Sequence, residues 1–171
     1  MKSVFCFGRL ALVIEPLYFI DPDPHPGQEG PERGVRLELR MVEPQPARGS
    51  VYASQPIVID RSIWRGDLLE SVAAGPGARD RMHYHPGMRD NEPGDRVFDR
   101  HLTDDPVGWV ARELADLPRM LDRSDVEEFD GFTADAAALN DMLPQILEVL
   151  ATTLDKVRAG ELATAPARDS R

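Results

Sequence analysis

A single cysteine, Cys6, stands among 171 residues, so no intramolecular disulfide can staple the fold. It falls in the apolar run 4–7, where a free thiol behaves as a small hydrophobe, and we expect it in the core. Lysine is scarce as well. Lys2 and Lys156 face 18 arginines, a skew that we attribute to the base composition of the gene before function. No stretch supplies the ~18 uncharged apolar residues of a membrane-spanning helix. After Lys2 the apolar run is interrupted by Arg9, Glu15 and Pro16, and no small-x-small cleavage motif follows. A secretory leader is therefore not expected, and the expected location is cytoplasmic. Also missing are a P-loop, a dinucleotide glycine fingerprint, a G-x-S-x-G elbow, an H-E-x-x-H pair and zinc-finger spacing. Whether the chain is an enzyme is left open by those absences.

What is present suffices for a core. The apolar share is 42%, and a chain of this length fits one α+β domain, expected over residues 1–162 with a frayed tail at 163–171. The net charge of −10 is uneven. Residues 102–171 carry 15 acids against 7 bases, whereas residues 61–101 carry 7 of each. The acidic third repels phosphate backbones, so nucleic acid is not an expected partner. It could attract a basic protein, although a solvated helical surface explains the same charges.

The first half reads as strands. Leu10, Leu12 and Ile14 alternate with Ala11, Val13 and Glu15, and the run resumes at residues 17–20. From Val35 the period is strictly two: Val35, Leu37, Leu39 and Met41 face one way, Arg36, Glu38 and Arg40 the other. The first set is predicted buried and the second exposed. The β-branched run 57–59 suits a buried strand, and residues 63–69 are expected to continue as a strand, with Arg61, Ile63, Arg65, Asp67 and Leu69 on one face. Strands at this spacing without intervening helices predict an antiparallel β-sheet, sandwich or roll.

The second half changes period. Asp105 followed by Pro106 marks a helix start, with Val107, Val110, Leu114, Leu117 and Leu121 recurring at helical spacing. Pro118 is expected to end or kink that helix. A longer helix is predicted from about Thr133 to Arg158, with Leu139, Leu143, Ile146, Leu150, Leu154 and Val157 as its apolar stripe and Gly160 as its stop. Pro144 lies inside it, so either two helices abut there or one is kinked.

Chemistry concentrates in the loop from Arg81 to His101. His83 and His85 form an H-x-H pair that a strand would point to one side, and His101 follows nearby. Asp90, Glu92, Asp95 and Asp99 offer carboxylates, of which Glu92 completes the candidate metal set His83, His85, His101 and Glu92. Two imidazoles and a carboxylate with open positions suit a divalent metal, Zn²⁺ or Fe²⁺. The alternative is structural, with His83 or His85 capping a loop or packing beside Tyr84 and Pro86. Arg65 and Arg81 are candidate anchors for an anionic small molecule, since guanidinium matches carboxylate and phosphate oxygens. Asp60 and Asp67 are equally placed to neutralise Arg61 and Arg65. Trp64 is a candidate floor for a ligand pocket, against the commoner role of core anchor.

The run His83-Tyr84-His85-Pro86-Gly87 resembles the first half of the cupin metal motif over about ten residues. That motif's glutamate falls where this chain has Met88 or Asp90. Its second half, with a later histidine between strands, has no counterpart, and the chain turns helical after His101. The cupin fold is therefore not assigned. A wider pattern joins Ile59-Asp60-Arg61, residues 64–68 (Trp-Arg-Gly-Asp-Leu), residues 81–86, Glu92-Pro93-Gly94 and residues 105–109. It resembles a group of short bacterial proteins of uncharacterised activity over residues 57–117, and that resemblance implies neither mechanism nor sites. Two functions remain: a protein that binds a small molecule or a metal through the loop from Arg81 to His101, and a non-catalytic interaction protein whose acidic helices dock a basic partner.

Overall fold

The computed structural model describes residues 1–165 apart from His25, Gln28, Arg79, Asp80, Asp90 and Asp125; residues 166–171 lie outside it. Asp90, one of the carboxylates considered above, and most of the expected tail thus lie outside the described residues.

The chain is α+β. Four strands, β1 (Ser3–Phe7), β2 (Leu10–Ile20), β3 (Pro31–Pro44) and β4 (Ile57–Ser71), run as an antiparallel meander. Two short strands, β5 (His83–His85) and β8 (Val97–Phe98), complete one six-stranded sheet in the order β1-β2-β3-β4-β5-β8. Between them, β6 (Met88–Arg89) and β7 (Glu92–Pro93) form a separate small hairpin. Four helices follow: α1 (Arg100–Asp104), α2 (Pro106–Leu114), α3 (Leu117–Arg123) and α4 (Phe132–Arg158).

Period-two patterning divides the sheet into two faces. On β3, Val35, Leu37, Leu39 and Met41 are buried, as their alternation requires. Leu37 lies between Ile14 and Gly66, and Leu39 between Leu12 and Trp64, so one apolar row crosses three strands. This row joins Val110, Leu114, Leu139, Ile146, Leu150 and Leu154 of the helices in one core cluster. The intervening residues face away from the helices. They are less exposed than their alternation alone implies: Glu38 is buried, and Arg36 and Arg40 are half-buried. The cause is ion pairing on that face, along β3 from Arg40 to Glu38 at 2.5 Å and across to β4 from Arg36 to Asp67 at 2.6 Å.

Four further expectations need correction. Cys6 is exposed, because β1 is an edge strand and this residue lies on the face without helices. Residues 57–59 and 63–69 lie on one strand, β4, but its start is not buried: Ile57 and Val58 are exposed, and register shifts follow opposite Leu39, Arg40 and Val42. Extra residues on β4 change the face there, so Ile63 joins the core while Arg65, Asp67 and Leu69 stay on the open face. Pro118 begins a helix rather than ending one: Asp116 caps α3 by accepting from the Arg119 N–H, and the proline occupies the first turn, where no donor is needed. Of the alternatives left open at Pro144, one helix is found: α4 runs through it, and proline and Asn140 both face solvent, so the carbonyl left without a donor is on the wet side.

Candidate metal centre

The antiparallel pairing of β4 with β5 sets Asp67 opposite His83, Gly66 opposite Tyr84 and Arg65 opposite His85. Side chains on a strand alternate, so Asp67, Arg65 and both histidines emerge on the open face. On the other face an aromatic group fixes this register. Trp64 stacks on Trp109 with centroids 6.4 Å apart, and Tyr84 packs against Trp109 at 4.9 Å. A Cβ at Gly66 would come within 2.7 Å of the Trp64 ring, so a side chain there would push the indole aside. Trp109 Nε1 donates to Asp99 at 2.9 Å, and Asp99 also caps α1 by accepting from the His101 N–H.

Each imidazole is oriented by a backbone carbonyl. His83 Nδ1 lies 2.8 Å from the Arg81 carbonyl oxygen, and His85 Nδ1 lies 2.8 Å from that of Gly94. A carbonyl only accepts, so Nδ1 carries the proton in each ring. In the neutral ring Nε2 then presents a lone pair. Both Nε2 atoms lie 3.6 Å from the same oxygen, Oδ2 of Asp67. That distance is too long for a hydrogen bond. It is close to the ~3.4 Å between neighbouring ligand atoms around an ion with bonds of about 2.0–2.1 Å and tetrahedral angles. The second carboxylate oxygen, Oδ1, accepts from Arg36 Nε at 2.6 Å. Arg36 Nη2 also reaches Oδ2, at 3.4 Å, so the guanidinium holds Asp67 from behind through both oxygens while Oδ2 faces the histidines. Ligand atoms of Asp67, His83 and His85 all lie within 4.8 Å of one another, and among the described residues these three form the group able to hold an ion.

Electrostatics keep Asp67 and His83 in ligand form. Burial opposes the charge on Asp67, but the Arg36 guanidinium bonded to it favours the carboxylate, and the carboxyl is held well below its ordinary range. Burial also pushes His83 down, and this outweighs the help that its cation would receive from the Arg81 carbonyl and Asp67. The ring is therefore held neutral over a wider pH range than a free imidazole.

The group opens into a cavity of about 530 Å³, bounded by Phe19, Arg36, Arg65, Leu69 and the segment 91–94 with Arg96. Asn91 secures that segment. It adopts a left-handed backbone (φ 65°), and its Oδ1 accepts from the Ser62 N–H at 2.7 Å.

The other candidates take varied positions. Arg65 borders the cavity and bonds Glu38 Oε1 through Nε and Nη2, each at 2.7 Å, rather than Asp67. Arg81 is buried, holds Glu32 at 2.5 Å and donates to the Glu29 carbonyl at 3.1 Å; it ties the loop before β3 to the sheet and does not face the cavity. Trp64 is buried on the helix-covered face, away from the histidines. Glu92 is exposed at the cavity rim, outside the three-residue group. His101 is exposed on α1 and also outside it. The sequence alone presents Asp67 as a counter-charge to arginine. A signal for more existed: it sits two residues from Arg65 on one strand face, and an H-x-H strand paired beside it brings all three together. No protein-family model, curated protein or solved structure matches the chain.

Proposed function

We propose that the protein binds one divalent transition-metal ion, of the Zn²⁺ or Fe²⁺ class, through Asp67 Oδ2, His83 Nε2 and His85 Nε2. The observation that carries this reading is the convergence of two Nε2 lone pairs on one carboxylate oxygen at 3.6 Å, with both Nδ1 protons committed to carbonyls. Without a cation, lone pair faces lone pair in a buried position. A carbonyl on the far nitrogen is also the usual outer support of a metal-bound histidine. Three protein ligands leave at least one coordination position for water or a small molecule, the pattern of reactive rather than purely structural sites. The cavity supplies room for that molecule, which joins the metal and small-molecule readings in one place.

Elemental analysis of purified protein, followed by calorimetric titration of chelator-treated protein with Zn²⁺, tests the proposal. One ion per chain is expected, with binding lost in the His83→Ala, His85→Ala double variant. Absence of stoichiometric binding by a folded wild-type chain would refute it.

A further inference from the structure

We infer that the cavity over Asp67, His83 and His85 receives a small organic carboxylate, which completes the coordination of the ion; this inference rests on the metal reading above. Charge is the first ground. Three cationic side chains border the cavity, Arg36, Arg65 and Arg96, and three carboxylates, Glu32, Asp67 and Glu92. With neutral histidines their sum is zero (3 − 3). A divalent ion adds two positive charges to a partly enclosed space, and the ion's own charge then dominates the site. A carboxylate offsets one of those two charges.

The second ground is geometry. Arg65 pairs with His85 across the sheet, so its side chain leaves the same face beside a metal ligand. Its Nε and Nη2 are both spent on Glu38, and among the described residues Nη1 makes no hydrogen bond. A carboxylate reaching the ion could accept from that nitrogen with its second oxygen. The third ground is the apolar wall. Phe19, Leu69 and Pro93 border the same cavity, whose volume of about 530 Å³ is far more than a coordinated water needs. An inorganic anion would leave that wall wet, whereas an organic acid covers it with its apolar part.

Cobalt(II) reports its coordination through visible absorption and serves as the probe ion. Chelator-treated protein is loaded with cobalt(II) and titrated with phenylacetate, with phenylacetamide as the uncharged control. A saturable change in the cobalt bands is expected with phenylacetate alone. Arg65→Gln should weaken phenylacetate about tenfold while cobalt affinity is retained. Arg65→Lys keeps the ion pair with Glu38 and guards against a folding defect; it too should bind phenylacetate more weakly, because the planar fork is lost. Cobalt binding with no response to phenylacetate would overturn this inference and leave the metal reading intact. So would equal phenylacetate affinity in wild type and both variants, or in metal-free protein. A folded wild-type chain that binds no cobalt would overturn both.

Discussion

Asp67 and His83 stand directly opposite one another on adjacent antiparallel strands, with Oδ2 and Nε2 3.6 Å apart in a nearly solvent-free setting. Neither atom has the other as a hydrogen-bond partner at that distance. The pair is held by what lies behind it, Arg36 on the carboxylate and the Arg81 carbonyl on the ring.

The first prediction separates the three histidines that share one stretch of sequence. His83→Ala and His85→Ala should each lower metal affinity by more than the 10–100-fold typical of losing an outer-shell partner, because each removes a ligand. His101→Ala should leave affinity unchanged, since that residue is exposed on α1. Isothermal titration with Zn²⁺ measures all three. Equal losses at His83 and His101 would contradict the assignment.

A second prediction concerns acid stability in metal-free protein. Burial opposes the charge of Glu38, and Arg65 and Arg40 outweigh it, so its folded-state value lies below the ordinary 4.5. Asp67 is likewise held below 3.8. Between folded and unfolded values the unfolded chain binds more protons, so acid favours unfolding. The stabilisation is complete above about pH 4.5 and is lost as pH falls through the lower folded-state values. Urea unfolding at a series of pH values should show this decline, and Glu38→Gln should flatten it. A wild-type curve that is flat below pH 4.5 would be inconsistent with these pairings.

Packing supplies the third. Leu39 is fully buried at the centre of the three-strand apolar row. Leu39→Ala should cost about 2–5 kcal/mol through lost transfer energy and the cavity left behind. Denaturant unfolding measures it, and a loss below about 0.5 kcal/mol would place the residue outside the core.

The fourth tests how α4 is fastened to the first hairpin. Asp135, buried near the start of α4, accepts from the Arg9 N–H at 2.6 Å in the turn between β1 and β2. Asp135→Ala should cost about 1–3 kcal/mol, the penalty of leaving a hydrogen-bonding group unmatched. Hydrogen exchange at the Arg9 amide should accelerate. Unchanged exchange would show that the contact is not formed in solution.

How far residues announce their structure differs between the two kinds of pattern in this chain. Alternation on β3 and the helical stripe of α4 could be read directly, because each is a local period tied to one buried face. The fate of Ile63 could not, since a bulge is decided by the partner strand and shifts the period without changing composition. The exposure of Cys6 is hidden for a related reason: an apolar neighbourhood does not reveal that its strand is at an edge. Within the candidate site, His83 and His85 were recognisable as a pair two residues apart. Asp67 was not, because its membership depends on a register set 16 residues further along the chain. Arg81 looked like a free anion anchor for the same kind of reason, since its partner Glu32 lies on a distant strand.

The alternation of β4 and β5 has a further consequence for change over time. Trp64, Leu68 and Tyr84 face the helices, while Arg65, Asp67, His83 and His85 face the cavity. The two sets are interleaved along the chain yet share only a backbone. Point substitutions on the cavity side can therefore change its lining without repacking the helix contacts. A scaffold wired in this way is open to laboratory evolution of new ligand preferences at modest risk to its folding.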